Sequence, residues 1–450
     1  MRRCPRGSEG IFFMGYIAGE GRSQGTLFPV VLDDLVPANH VCRVIDAFVD
    51  GLAMSELGFE RAEAAETGRP GYDPRDLLKL YLYGYLHTIR SSRRLEAECR
   101  RNVELMWLLG RLYPDHKSIA EFRRLHREAM TAAGAELVRL ARSCGLIRGE
   151  WIAVDGTKFR AVASADSVRE RKALETYLDS CEKADEEQQA SIDPAAVQAA
   201  LDRLKQHPEP EASFMKVAGS IAPAYNVQTA VDAEHALIVA HAVTLDAADN
   251  RQLEPMAEAA KKALGAESLN IVADTGYSNG EQAERSERAG RIPHVPGARS
   301  VNANGLLDRS AFTYEQEQDR FLCPEGKPLK RIQLSRKDRA IYYGAQVTDC
   351  GSCPRKAQCT EAPRRMITRH LHEEALNRMH ARATPALMRL RRSIVEHPFG
   401  TLKYRIFGHP RLLLRGLSGA RIEIGLATMA YNLKRMVNLL GASRLVHAIT

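Results

Sequence analysis

Nowhere in the 450 residues is there an apolar run of the ~18–20 residues that a membrane-spanning helix needs. Also missing are a Walker-type phosphate loop, a Gly-x-Gly-x-x-Gly after a strand and a Gly-x-Ser-x-Gly elbow. ATP- or dinucleotide-driven chemistry and serine hydrolysis therefore have no support. Charge of one sign is not in great excess: Lys and Arg number 64 against 56 Asp and Glu, for a net charge of +8. That balance favours a polyanionic partner without establishing one. The nine cysteines are odd in number and irregularly spaced, which is not the framework of a secreted disulfide protein. Arg2, Arg3 and Arg6 precede a short apolar patch, but Glu9 and the Gly-rich, charged stretch after it do not make a signal peptide. The expectation is a cytoplasmic chain, with Met14 as a second candidate start.

What is present is an ordinary globular composition, 44% apolar and 27% charged, in a length that suggests about two to four units. Residues 33–145 read as all helical. Asp73-Pro74 opens a helix over DLLKLYLYGYL, Ser91-Ser92 breaks and recaps the chain, and Ser118 with Glu121 predicts a capping box. Arg is dense over residues 86–129, which suits a helical DNA-binding module and equally a plain bundle with solvated charges. From Gly149 the character changes. WIAVDGTKFRAVA predicts a strand with Asp155 at its end and a turn at Gly156. A charged helical excursion follows over residues 166–207, its second helix opened by Asp193-Pro194. AYNVQTAVDAEHALIVAHAVTL predicts two strands, residues 251–264 a helix, LNIVAD a strand ending at Asp274, TGYSNG a turn into another helix, and RIPHV a short strand. The order implies a mixed α/β sheet with functional groups at strand ends. Residues 297–370 hold few long periodic segments and four clustered cysteines, and regular helices resume near His372.

Asp155 and Asp274 share a context: an apolar strand, then Asp, then a small-residue turn. Each alone is as well explained as a turn residue. A third acid lies on the helix ALMRLRRSIVEHPFGTLKYR, where Arg389, Arg392, Glu396 and Lys403 fall within about 60° of one another at 100° per residue. One carboxylate among cations suits a metal-binding acid beside phosphates; an exposed Arg392–Glu396 ion pair is the plainer reading. Pro398 predicts a bend just past Glu396. His397 points about 100° around the helix from Glu396, which favours packing or phosphate contact. The run EKADEEQQ reads as solvated helix surface. Cys323, Cys350, Cys353 and Cys359 suit a tetrahedral structural Zn²⁺, with unliganded thiols as the alternative; zinc is favoured because the segment has few core residues of its own. Cys42, Cys99 and Cys144 read as small apolar core residues.

The phrases VDGTKFRA, YNVQTAVD, ADTGYSNGE and VEHPFGTLKYR resemble those of DDE transposases from bacterial insertion sequences, in the group with a Tyr-Arg-Glu-Lys signature. GYDPRDLLKLYLYGYLHTIRSSRRLEAECRRN resembles the helical N-terminal domain of that group, and the similarity spans roughly residues 26–440. The resemblance implies Asp155, Asp274 and Glu396 as the catalytic, metal-binding acids and Arg392 and Lys403 as phosphate contacts. Arg389 stands where the signature has Tyr, and a basic residue there can still meet phosphate. It implies a ribonuclease H-like catalytic core with an all-helical N-terminal domain and a cysteine-rich insertion. The division is a tail over residues 1–25, a helical domain over 26–146, the core over 147–300 (with a helical insertion at about 165–215), the insertion over 301–370 and the core's C-terminal helices over 371–450. Expected cofactors are two Mg²⁺ (or Mn²⁺) ions, since in-line phosphodiester cleavage is served by two metals on hard carboxylate oxygens. Expected partners are double-stranded DNA, as terminal inverted repeats and target, and a second copy of the chain in the DNA complex. The rival readings are a non-catalytic DNA-binding protein and a ribonuclease H-like nuclease without strand transfer.

Overall fold

The structure is a computed structural model that describes residues 31–62, 71–183, 192–207, 209–297 and 305–450. Met14, the N-terminal tail and most of EKADEEQQ lie outside the described residues. Six helices come first: α1 (Val41–Asp50), α2 (Pro74–Leu86), α3 (Ser92–Cys99), α4 (Val103–Leu108), α5 (His116–Leu125) and α6 (Arg127–Ser143). Asp73 caps α2 through its carboxylate, with Pro74 in the first turn. The start of α5 differs from the capping box expected at Ser118. Asp115 is the N-cap: its carboxylate accepts from Lys117 N and Ser118 N at 2.9 and 3.1 Å, which places Ser118 inside the first turn.

The central sheet is built from β1 (Trp151–Arg160), β2 (Ser213–Val217), β3 (Ser220–Asp232), β4 (Ile238–Thr244), β5 (Leu269–Val272) and β6 (Arg291–His294). Helices α7 (Ala165–Glu182) and α8 (Pro194–Lys205) lie between β1 and β2; α9 (Leu253–Leu264) and α10 (Gly280–Arg288) precede β5 and β6. Strand β3 pairs antiparallel with β1 and β4, and β1, β5 and β6 run parallel, so the sheet reads β4-β3-β1-β5-β6 with β2 beside the start of β3. A meander followed by two strands returning through helices requires this mixed order, because parallel neighbours need crossovers. Strand β2 has no counterpart in the sequence reading; it pairs only with the first five residues of β3, whose exposure falls from Ser220 to the buried Ala224.

A second, antiparallel sheet follows, in the order β11-β10-β9-β8-β7: β7 (Thr313–Glu315), β8 (Arg320–Leu322), β9 (Pro328–Ser335), β10 (Ala340–Gly344) and β11 (Met366–His370). Two short helices, α11 (Val347–Gly351) and α12 (Lys356–Cys359), interrupt it. Its small core centres on Phe312, Phe321, Leu329, Tyr343 and Ile367. The chain ends in α13 (Glu373–Arg382), α14 (Pro385–Gly400), a π-helical turn (Thr401–Ile406), α15 (Gly416–Leu440) and α16 (Ala442–Ile449). Helix α14 passes through Pro398, and the irregularity appears as the π turn that follows. Among the described residues no helix is long and apolar enough to cross a membrane.

Helix α15 is buried on most of its surface and packs on α2, α6 and β4, so the N-terminal helices and the central sheet share one apolar core. Its Glu423 is wholly buried. Glu423 accepts from Leu413 N, Leu414 N and, at 2.9 Å, Arg90 Nη1, while Arg90 also donates to the carbonyls of Phe407 and Arg411. Removing one member of a buried, hydrogen-bonded ion pair strands the other charge. Glu423→Ala, which also strands the Leu413 and Leu414 N–H groups, is therefore expected to lower unfolding stability by about 3–5 kcal/mol, read by urea denaturation; a loss below about 1 kcal/mol, the range of an exposed pair, would contradict the role given to Arg90.

Candidate active site

Strand β1 pairs in parallel with β5 through Trp151 with Asn270, Ile152 with Ile271 and Ala153 with Val272. Continuing that offset brings Asp155 level with Asp274. Contrary to the sequence reading, Asp155 does not end its strand: β1 runs on to Arg160, held by β3, with Asp155 opposite Thr229. What ends there is β5. Asp274 turns the chain away by accepting from Gly276 N at 2.8 Å, capping the 3-10 turn Thr275–Tyr277. Gly156 is accordingly a strand residue, and its lack of a side chain has a steric cause. A Cβ there would collide with Gln228 Nε2 and come within 2.7 Å of Asp249 Oδ1.

Those two side chains belong to a buried polar scaffold under the aspartates. Gln228 Nε2 donates to Asp249 Oδ1 at 2.7 Å and to Asn226 Oδ1 at 2.9 Å, and Asn226 Nδ2 donates to Asp249 Oδ1 at 2.7 Å. Lys158 Nζ pairs with Asp249 at 3.1 Å, and Tyr277 Oη donates to Gln228 Oε1. Buried groups satisfied this fully fix one geometry. The scaffold ties β1, β3, the loop before α9 and the turn after β5 into a single unit.

The two carboxylates meet at Arg391 of α14. Its Nη2 lies 2.5 Å from Asp155 Oδ1 and 3.3 Å from Asp274 Oδ2. The oxygens are thus no more than about 6 Å apart, a span that bound divalent cations bridge. Burial pushes the Asp155 carboxyl up to about 6; the negative charges of Asp274 and Asp249 add to that, while Arg391 and the Gly156 N–H oppose it. Burial likewise lowers the Lys403 ammonium, and the charge of Asp155 pulls it back, which places Lys403 within electrostatic reach of the pair.

The remaining sequence-derived residues lie on the flank of α14. Glu396, Arg389 and Arg392 are exposed. Among the described residues, the carboxylate of Glu396 has no hydrogen-bond or ion-pair partner, and its oxygens do not close with those of Asp155 and Asp274 to within 4.8 Å. Lys403 sits in the π turn, so the 100° wheel that grouped it with Glu396 holds only as far as Gly400. His397 packs on Tyr431 and is hydrogen-bonded to its hydroxyl at 3.1 Å. Sequence reasoning missed Arg391, Asp249 and the Asn226–Gln228 pair. The signals were there: two amides alternating on one face of an apolar strand, and an arginine on the same stripe as Ile394, Val395 and Pro398.

A family described as "Transposase DDE domain" matches residues 152–433, and one described as "Transposase domain (DUF772)" matches residues 30–125. The chain belongs to the DDE transposase family. It is a DDE-type DNA transposase, and the family implies the ribonuclease H-like core whose strand order was described above. No curated protein matches it. Among solved structures, the piggyBac transposase synaptic complex with hairpin DNA shares 9% identity at a TM-score of 0.35, over 91% of this chain and 79% of that one. A likeness so slight carries no argument.

Two further groups of side chains are of the types that ligate metals, and among the described residues no three of the four clustered cysteine sulfurs lie within 4.8 Å of one another. Cys323, Cys350, Cys353 and Cys359 line one cavity of about 170 Å³ beside the second sheet. Lys327 N donates to Cys323 Sγ at 3.3 Å and Arg365 N to Cys350 Sγ at 3.4 Å. The first of these contacts needs the left-handed turn at Gly326 (φ 71°). In the N-terminal helices, His40, Cys42 and Glu104 bring ligand atoms within 4.8 Å of one another. There burial pushes the Cys42 thiol up to about 12, and Tyr83 Oη already donates to Glu104 at 2.7 Å, so the arrangement is satisfied as polar packing. Cys42 and Cys99 are buried in the core; Cys144 packs on it half-buried.

The raised Asp155 carboxyl bears on stability. Its folded value, about 6, exceeds the ~3.9 of an exposed Asp. Ionising it therefore costs folding free energy that is absent below about pH 4, grows up to about pH 6 and is complete above. In metal-free buffer Asp155→Asn is expected to be more stable than the wild type above pH 6, by on the order of 2 kcal/mol, and indistinguishable near pH 4. Urea melts at the two pH values check this; a pH-independent difference would refute the burial argument.

Proposed function

We propose that this transposase cuts DNA at insertion-sequence ends, and joins them to target DNA, through divalent metal ions held by Asp155, Asp274 and Glu396. The observation that carries the reading is the Asp155–Asp274 pair, Asp155 largely buried and Asp274 half exposed, set in register and bridged by one cationic nitrogen. The donors are carboxylate oxygens, which suits hard ions such as Mg²⁺ or Mn²⁺. Among the described residues Thr229 Oγ1, opposite Asp155, is buried and has no hydrogen-bond partner, so it adds polar capacity beside the pair. Two bound ions would supply an activated water or 3′-hydroxyl and stabilise the leaving oxygen.

The chain's own groups do the positioning. Asp155 is fixed by the Gly156 N–H and by the scaffold behind it, so its carboxylate needs little reorganisation. Glu396 has no partner to give up and swings in from the flank of α14. Lys403, half-buried near Asp155, and the exposed Arg389 and Arg392 hold the DNA phosphates. The N-terminal helices bind the inverted repeats: Arg93, Arg94 and Arg111 are exposed there. Two copies of the chain act together on the paired ends. Residues 26–146 form the DNA-binding unit, 147–300 and 371–450 the catalytic core, and 301–370 a zinc-holding insertion. For the last, thiols around one cavity, with backbone N–H groups aimed at two sulfurs, suit Zn²⁺-bound thiolates.

Cleavage and joining assays on the element's own ends, in Mg²⁺, test the acids. Asp155→Asn, Asp274→Asn and Glu396→Gln are each expected to reduce cleavage by about 100-fold or more, the loss of several kcal/mol of transition-state stabilisation. Wild-type rates in any of the three remove that residue from the site, and cleavage without joining selects the nuclease reading. For the insertion, elemental analysis is expected to find about one zinc per chain, lost in a Cys350→Ser, Cys353→Ser variant; zinc-free native protein would exclude the site.

A further inference from the structure

We propose that Arg391 is a stand-in cation: its guanidinium occupies the metal position of the unloaded site and must leave before a divalent ion can bind between Asp155 and Asp274. This rests on the assignment of those two residues as metal ligands. A single nitrogen, Nη2, lies 2.5 Å from one carboxylate oxygen and 3.3 Å from the other. A divalent ion bridging the same oxygens would sit about 2.0–2.1 Å from each, so it and Nη2 exclude one another.

The guanidinium is poorly housed where it is. Its side chain is 12% exposed, and among the described residues its buried Nε has no hydrogen-bond partner. Of the five N–H donors a guanidinium carries, the observed contacts run through one nitrogen. Arg391 lies on the packed stripe of α14, with Ile394, Val395 and Pro398 buried beside it. The backbone there is fixed, but the long side chain is not, and an outward rotation hydrates Nε while keeping the cation beside the carboxylates. Outside the pair, its planar fork matches a phosphate bidentately, as the ammonium of a lysine does not. The same arginine thus offsets one of the two negative charges while the site is empty and turns to the DNA backbone once it is filled.

The alternative is a fixed bridge that holds the two acids at the right spacing, and metal affinity separates the two. For DNA-free protein, Mn²⁺ binding followed by electron paramagnetic resonance should be on the order of ten-fold tighter in Arg391→Gln, because the binding-competent fraction is no longer limited by the guanidinium. Arg391→Met should tighten likewise, and Arg391→Lys, which keeps a cation, should stay near the wild type. Melting temperature in EDTA should fall in the Gln and Met variants and recover with Mn²⁺. Unchanged or weaker binding in both neutral variants, with Asp155→Asn and Asp274→Asn weakened, overturns the stand-in role and leaves the acids in place. Wild-type binding in the two Asn variants overturns the acid assignment itself.

Discussion

Two carboxylates brought level on adjacent parallel strands repel one another, by about 3 kcal/mol at 6 Å and an effective dielectric of 20. The surroundings of Asp155 and Asp274 are arranged to bear that repulsion. Strand β1 continues five residues past the aspartate, so Asp155 sits in a paired strand and not at a fraying end. Behind it the scaffold supplies amides, and its one further acid, Asp249, is held by Lys158, Asn226 and Gln228. The opposing charge comes from a different element, α14, and this makes the site a junction between sheet and helix.

That junction depends on elements far from the acids. Helix α14 is positioned by the sheet on one side and, through the π turn and the loop that follows, by α15. Glu423 of α15 gathers the loop by its Leu413 and Leu414 amides, and Arg90 reaches from the N-terminal helices to the same carboxylate and to the Phe407 carbonyl. The segment after Lys403 is therefore gripped by the helices proposed to bind DNA ends. A displacement of those helices by DNA has a short, hydrogen-bonded route to the cationic flank of α14.

Much of this was legible in the sequence. The apolar run into Asp274, the Asp73-Pro74 cap and the strand–hairpin–helix order all rest on local patterns that the fold kept. The second sheet was not legible, because β9 buries only Leu329 of its eight residues and β7 and β8 have three residues each. Arg391 was missed for a different reason. A wheel centred on Glu396 selects Arg392 and passes over its neighbour, although position 391 shares the stripe of Ile394 and Val395. An arginine on a buried stripe demands a buried acid. By that rule the residue pattern of α14 calls for an acidic partner on the sheet it covers, and the aspartate pair supplies it.

The helix also carries a charge argument about its two faces. Five residues separate Arg391 from Glu396, about 140° of turn, so the two address the sheet from different sides. Asp155, Asp274 and a guanidinium carry one net negative charge between them. Exchange the guanidinium for a dication and the sum is zero; bring in Glu396 and it returns to one negative charge. On the proposed reading, then, the first ion together with Glu396 leaves the site at the charge of the empty one, and a second ion brings it to one positive charge. Among the described residues Arg389 and Arg392 form no ion pair with a protein acid and are left to meet phosphate.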